Sequence, residues 1–169
     1  MKINMSEQDK NIAKGHNIKN LKPRKGGHFK QGYFDASDKY VGARPVIYRS
    51  GLELKVFNLF ERSPGIKHWS SEPDFIVIKY MYGGKLRQYN VDVYAEYHNG
   101  VKEIIEIKPY AQTQAPEAHR YFGKEARYAK DVETYQRNIA KWKAAWEYAN
   151  ENNMRFKIIT DHALKQFNI

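Results

Sequence analysis

The sequence predicts an α/β fold in which a mixed sheet with an antiparallel meander is flanked by helices. The first observation is the order of the patterns, which runs from a helix through three strands to a second helix and a final strand. The second is a pair of glycine-containing turns that separate the three strands. A meander followed by a crossover helix and a further strand gives a mixed sheet. With 169 residues, of which 41% are hydrophobic, the chain has the usual size of one domain.

The first helix is predicted to begin after Ser50 and to end near Arg62. Serine is a preferred N-cap residue, and Pro64-Gly65 cannot continue a helix. Residues 31–47, which precede the helix, contain glycine and proline and are predicted to be irregular.

Three strands are predicted from runs of β-branched and aromatic residues between turn signals. They are Phe75–Tyr82, Arg87–Tyr97 and Val101–Lys108. Gly83-Gly84 forms the first turn and Asn99-Gly100 the second.

A long basic connection, Pro109–Lys130, is predicted to lead into the second helix, Asp131–Asn150. Apolar residues at helical spacing form the expected buried stripe of this helix. They are Val132, Tyr135, Ile139, Trp142, Trp146 and Ala149. Met154–Thr160 is predicted as the last strand, and Asp161 as the cap of a short terminal helix.

The charge of the chain favours a polyanionic partner. The net charge is +10, and residues 1–30 hold eight Lys or Arg against two Asp or Glu. We expect residues 1–30 to form a basic flexible arm on a domain that spans residues 31–169, with an ordinary solvated tail as the alternative. The absence of cysteine excludes disulfides and thiolate metal sites, and no apolar run approaches a membrane span of roughly 18 residues. We therefore expect a soluble protein from a reducing compartment, without a membrane partner.

Asp92, Glu106 and Lys108 are the candidate chemical centre. Alternation along the third strand places Glu106 and Lys108 on one face. A two-residue turn would pair residue 92 with residue 107 and would separate Asp92 from this face. A three-residue loop would pair residue 92 with residue 106, so that the two carboxylates stand opposite each other. Gly100 lies where a three-residue loop needs a left-handed residue.

Two opposed carboxylates raise each other's pKa unless a cation lies between them. Mg²⁺ suits such a site because it prefers oxygen ligands and binds through one or two carboxylates plus substrate phosphate. A lysine beside that metal fits phosphodiester cleavage, since it can stabilise the developing charge or orient the attacking water. An ordinary salt bridge between Glu106 and Lys108 is the alternative interpretation of this part of the cluster.

Glu53 has two possible roles. Ser50 and Glu53 have the spacing of a capping box, in which Glu53 would accept from the Ser50 backbone N–H. Glu53 also lies on the stripe of Val56, Phe57 and Phe60, where a glutamate needs a partner. A metal bound by Asp92 and Glu106 is a second candidate for that partner.

Several segments together resemble the PD-(D/E)xK nuclease superfamily. More narrowly, they are similar to the head-completion nucleases of T-even-type tailed bacteriophages, which are related to the N-terminal domain of TnsA-type endonucleases. The segments are Tyr48-Arg49-Ser50 with Glu53, Trp69-Ser70-Ser71-Glu72, Asp92, Glu106-Ile107-Lys108-Pro109, Gln112-Thr113-Gln114, Thr134-Tyr135 with Asn138 and Ala140-Lys141-Trp142, and Phe156-Lys157-Ile158-Ile159-Thr160. The resemblance covers the chain from about residue 25 to its end.

The resemblance implies a restriction-endonuclease-like core and a Mg²⁺- or Mn²⁺-dependent endonuclease. It implies metal ligation by Asp92 and Glu106, with Glu53 as the helix acid and Lys108 as the catalytic lysine. Two positions depart from the pattern, since Val91 replaces the usual proline and Leu52 replaces an aromatic residue. Neither departure removes a ligand.

Three residues are predicted to contact DNA. Arg49 lies one helical turn from Glu53, Gln112 follows the strand that holds Lys108, and Lys141 lies beside the apolar stripe of the second helix. Each could instead be an ordinary solvated side chain.

The leading functional hypothesis is an endonuclease that processes packaged DNA ends during phage head completion, before the tail attaches. DNA is then the substrate, phage portal or neck proteins are candidate partners, and the expected location is the virion head or neck or the host cytoplasm during assembly. The alternative is a non-catalytic neck protein that binds the DNA end. A transposase-type nuclease is a third hypothesis and would be expected to have a further C-terminal helical domain.

Overall fold

The computed structural model describes residues 31–166, and all secondary structure below refers to that range. The strands are β1 (Gly32–Phe34), β2 (Val46–Tyr48), β3 (Ile66–Ser71), β4 (Ile78–Tyr82), β5 (Lys85–Tyr89), β6 (Val93–Tyr97), β7 (Lys102–Ile107) and β8 (Arg155–Ile159). The helices are α1 (Gly51–Arg62), α2 (Glu125–Glu151) and α3 (Asp161–Gln166). Short 3₁₀ turns cover Tyr110–Thr113 and Ala118–Tyr121. The predicted basic arm, residues 1–30, lies outside the described residues.

A four-stranded mixed sheet in the order β3-β6-β7-β8 forms the centre of the fold. Strand β6 pairs antiparallel with β3 and β7, whereas β7 and β8 are parallel. Helix α2 makes the crossover between the two parallel strands. The predicted α/β fold with a mixed sheet flanked by helices is therefore confirmed.

The strands that form the antiparallel part of the sheet differ from the predicted ones. The strand predicted over Arg87–Tyr97 is interrupted after Tyr89, and β4 and β5 pair with each other in a separate two-stranded sheet. Strand β3 takes the third antiparallel position. It was not predicted because a register shift near its start breaks the alternation that identifies a strand. Strands β1 and β2 form a further small sheet within the segment predicted to be irregular.

Helix α1 covers one face of the sheet. Ser50 is its N-cap, as predicted, and accepts a 3.1 Å hydrogen bond from the Glu53 backbone N–H. The helix buries Val56, Phe57 and Phe60 in a core centred on a fully buried tryptophan of β3, Trp69.

Helix α2 contributes to a second core, and it begins at Glu125 rather than at Asp131. Its buried residues are Asn138, Trp142, Ala145 and Ala149. Ile139 and Trp146, which the predicted stripe placed in the core, are 44% and 59% exposed. The small alanines lie on the buried face because they let the helix backbone approach the neighbouring elements closely. No helix within residues 31–166 is long and apolar enough to cross a membrane.

Candidate active site

The β6–β7 hairpin has the three-residue register that the site requires. Val93 pairs with Ile105 and Glu96 with Lys102, and the Tyr97 N–H donates to the Val101 carbonyl at 2.8 Å. Gly100 has a φ of +83°, the left-handed conformation that closes such a loop. One residue beyond the Val93–Ile105 pair, this register places residue 92 opposite residue 106, which is the arrangement that the metal hypothesis requires.

Asp92 lies just before β6 and is held by the neighbouring strand. Its Oδ2 atom accepts a 2.7 Å hydrogen bond from the Ile107 backbone N–H. Burial, followed by repulsion from Glu106, raises the pKa of Asp92 to about 7, against the opposing effects of the Ile107 hydrogen bond and the Lys108 charge. A negative charge at this position is therefore costly unless a cation compensates it.

Glu106 is the most enclosed acid of the site, with 1% of its surface exposed. Its Oε1 atom lies 2.8 Å from the Lys108 ammonium group. Burial alone would lower the pKa of Lys108, but attraction to Glu106, reinforced by Asp92 and Glu53, raises it. The salt bridge considered from the sequence thus exists, and it lies within a larger acidic cluster.

Tyr89 is a site residue that sequence reasoning missed. Its hydroxyl donates to Oε2 of Glu106 within the core, and burial together with Glu106 raises the pKa of the phenol. Alternation along the unbroken strand predicted over Arg87–Tyr97 would place Tyr89 on the face opposite Asp92. The irregular residues after β5 reverse this placement and bring the phenol to Glu106. Asn90 and Asp92, both disfavoured in strands, are the sequence signals that could have indicated the break.

The Glu53 carboxylate is engaged at the start of α1. One oxygen accepts from the Arg49 backbone N–H at 2.8 Å, and the other lies 3.0 Å from the Ser50 hydroxyl. Its charge nevertheless raises the pKa of both Asp92 and Lys108. Across residues 31–166, no three His, Cys, Asp or Glu side chains are grouped so that they could hold a metal ion. The structure therefore brings Asp92 and Glu106 together as a pair, while Glu53 contacts the Arg49 N–H and the Ser50 hydroxyl instead of the Ser50 N–H that the capping box predicts.

The three residues predicted to contact DNA have different positions around this pair. Exposed Arg49 forms an ion pair with Glu72, and its pKa is raised by Glu72 and, more weakly, by Glu53 and Asp92. Lys141 lies on α2, with its ammonium group 5.4 Å from the centroid of the Tyr89 ring. Gln112 is exposed in the 3₁₀ turn that follows β7. Their contacts with DNA remain predictions.

Comparison with known proteins identifies the family of the chain. Residues 63–161, more than half of the chain, match the model of the TnsA-like endonuclease N-terminal domain. The chain belongs to the TnsA-like endonuclease family. The range shared with the family contains Asp92, Glu106 and Lys108, whereas Glu53 and Arg49 precede it.

A curated relative of this TnsA-like protein is the head completion nuclease of Enterobacteria phage T4. The two are 33% identical over 130 residues, which cover 75% of this chain and 87% of the relative. The resemblance inferred from the sequence motifs is therefore confirmed at the level of the family and of this relative.

Proposed function

We propose that this TnsA-like protein is a divalent-metal-dependent DNA endonuclease of the PD-(D/E)xK type that processes packaged DNA ends during phage head completion. The decisive observation is that Asp92 and Glu106 stand opposite each other in a buried hairpin, with Lys108 2.8 Å from Glu106. The T4 relative, a head completion nuclease, supports the biological setting. The proposed location is accordingly the assembling head, in the host cytoplasm or the virion, with portal or neck proteins as candidate partners.

The chemistry of the acidic pair fits Mg²⁺ or Mn²⁺. Asp92 is largely buried beside a second carboxylate and carries a raised pKa, so a cation between the two would remove the electrostatic conflict. Mg²⁺ is bound in many phosphate-processing sites by one or two carboxylates, with water and substrate phosphate completing its coordination. When bound, such an ion stabilises phosphate charge and lowers the pKa of a coordinated water.

The residues of the chain supply the remaining functions. Tyr89 and Lys108 hold Glu106 from its two oxygens and so fix the orientation of the proposed ligand. Lys108 is a cation beside the acids and can stabilise charge that develops on the phosphate. Arg49 and Lys141 carry positive charge close to the cluster and are suited to contacts with the DNA backbone.

Cleavage of linear duplex DNA in the presence of Mg²⁺ or Mn²⁺ tests the proposal. Asp92→Ala and Lys108→Ala should each abolish cleavage while binding to DNA persists. Lys102→Ala is a matched control, because Lys102 is exposed at the opposite end of the same strand. Unchanged cleavage by the Asp92 and Lys108 variants would refute the assignment, and binding without cleavage by the wild type would favour a non-catalytic protein that binds DNA ends.

A further inference from the structure

A cleft of about 790 Å³ lies between helix α2 and the connection that follows β7. One wall is formed by the 3₁₀ turns and the residues between them, and the other by the first half of α2. Tyr110, the first lining residue, is two positions after Lys108, so the cleft begins within about 7 Å of the Lys108 Cα atom. Its volume falls within the range of roughly 300–1,000 Å³ that is typical of small-molecule sites. We call it the α2 cleft.

Asn138 supplies a side-chain amide to the wall of the α2 cleft. This residue lines the cleft and is only 7% exposed. Within residues 31–166 its amide makes no hydrogen bond, and its nitrogen and oxygen are not among the fully enclosed polar atoms that lack a partner, so the amide opens into the cleft. A ligand with complementary donors and acceptors could bind the amide in place of water.

Tyr135 lies one turn before Asn138 and lines the same cleft. Within the described residues its ring has no aromatic or cationic partner and its hydroxyl makes no hydrogen bond. The other aromatic walls are already engaged. Tyr110 stacks on His162 with centroids 4.2 Å apart, and the Tyr121 hydroxyl donates to Asp131 at 3.0 Å. A flat ligand between Tyr135 and Asn138 would use one free ring face and one free amide.

The charges of the α2 cleft indicate what kind of ligand it accepts. Its two arginines are balanced by two acids, with Arg120 3.1 Å from Glu117 and Arg127 3.7 Å from Asp131. A groove that follows phosphates has surplus positive charge, which this lining lacks. A neutral, flat group with hydrogen-bonding edges fits better, and a nucleobase is such a group.

We propose that the α2 cleft binds one unpaired nucleobase next to the phosphate that is cut, so that the protein prefers DNA with a single-stranded end to blunt duplex DNA. The Tyr135 ring stacks on the base and the Asn138 amide bonds its edge. A base that stays stacked in a duplex cannot enter a cleft between two protein walls, so the base must be outside the stack. This inference rests on the proposed nuclease function, because the cleft has this role only if DNA occupies the neighbouring site.

The test measures binding of the full chain to fluorescent duplexes that are either blunt or carry a short 3′ or 5′ overhang. Fluorescence anisotropy in EDTA prevents cleavage during the measurement. We expect the wild type to bind at least one overhang about tenfold more tightly than the blunt end, the effect of one base stacked on an aromatic ring. Asn138→Leu and Tyr135→Leu should remove most of this preference, and Tyr135→Phe should retain it. Asn150→Leu is the control, because Asn150 is exposed about 18 Å further along the same helix.

An equal affinity of the wild type for blunt and overhanging DNA would overturn the inference, as would a preference that survives both leucine substitutions. Thermal melting followed by circular dichroism establishes that each variant is folded. If Asn138→Leu fails to fold, the contrast between Tyr135→Leu and Tyr135→Phe decides the question. Wild-type cleavage of duplex DNA without any preference for overhangs would refute the inference alone. A wild type that neither binds nor cuts any DNA would refute the proposed function as well.

Discussion

The substitution Asp92→Asn should raise the free energy of unfolding of the metal-free protein, and this increase should become larger as the pH rises. Asparagine keeps the shape of the side chain and an oxygen that can accept the Ile107 N–H, but it removes the ionisable group. In the folded protein, burial and Glu106 raise the pKa of Asp92 from 3.8 to about 7. Ionisation of this carboxyl therefore opposes folding over the pH range between those two values.

The sign and size of the effect follow from the pKa difference. Because the folded pKa lies above the unfolded one, the favourable contribution of the protonated acid is complete below about pH 4 and is lost as the pH rises through 7. A difference of about three pKa units corresponds to about 4 kcal/mol at full ionisation. Between about pH 5 and about pH 8, the stability advantage of the variant should grow by about 2–3 kcal/mol.

Urea denaturation in EDTA at several pH values measures this advantage directly. Asp74→Asn is a suitable control, because Asp74 is exposed outside the site and its substitution should leave the advantage flat. If the difference in free energy of unfolding between Asp92→Asn and the wild type does not change with pH, ionisation of Asp92 carries no electrostatic cost in the folded protein. A variant that is less stable than the wild type at about pH 8 would refute the reasoning altogether.

Three further outcomes are expected. At about pH 8, Mn²⁺ should raise the melting temperature of the wild type in a concentration-dependent manner and should have little effect on Asp92→Asn, whereas equal shifts would exclude Asp92 as a ligand. Tyr89→Phe removes the hydroxyl that donates to Glu106 and should lower kcat by about tenfold with little change in KM. The size follows because a hydrogen bond to a charged group contributes about 1.5–3 kcal/mol. An unchanged kcat would exclude a positioning role for Tyr89. Gly100→Ala places a side chain at a φ of +83° and should lower the free energy of unfolding by about 1 kcal/mol or more, measured by urea denaturation. An unchanged free energy of unfolding would contradict the requirement for a left-handed residue in the loop.

The parts of the site that depend on local chemistry could be predicted from the sequence. The Ser50 cap follows from the preferences of helix starts, and the observed β6–β7 register is the one of the two alternatives that the position of Gly100 favours. Both depend on residues within a few positions of each other. The sequence therefore narrows the partner of Asp92 to residue 106 or residue 107, and the hairpin register selects Glu106.

The parts that depend on interruptions and packing could not be predicted. Alternation assumes a continuous strand, and the break after β5 moves Tyr89 to the face on which it meets Glu106. The buried face of α2 is decided by how closely the helix packs, which favours Ala145 and Ala149 over the larger Trp146. The partnerless amide of Asn138 becomes visible only when the opposite wall of the cleft is in place.

In the proposed active site, the hydrogen bond between Asp92 and the Ile107 N–H makes the acidic pair depend on the integrity of the hairpin. Asp92, just before β6, is held by the backbone of β7, and Glu106 and Lys108 lie at the end of β7 and directly after it, so neither side of the hairpin contains the proposed centre by itself. If the hairpin opens locally, the acids separate and the cluster ceases to exist. Under the proposed function, a partly unfolded or proteolysed copy should consequently be unable to cut DNA.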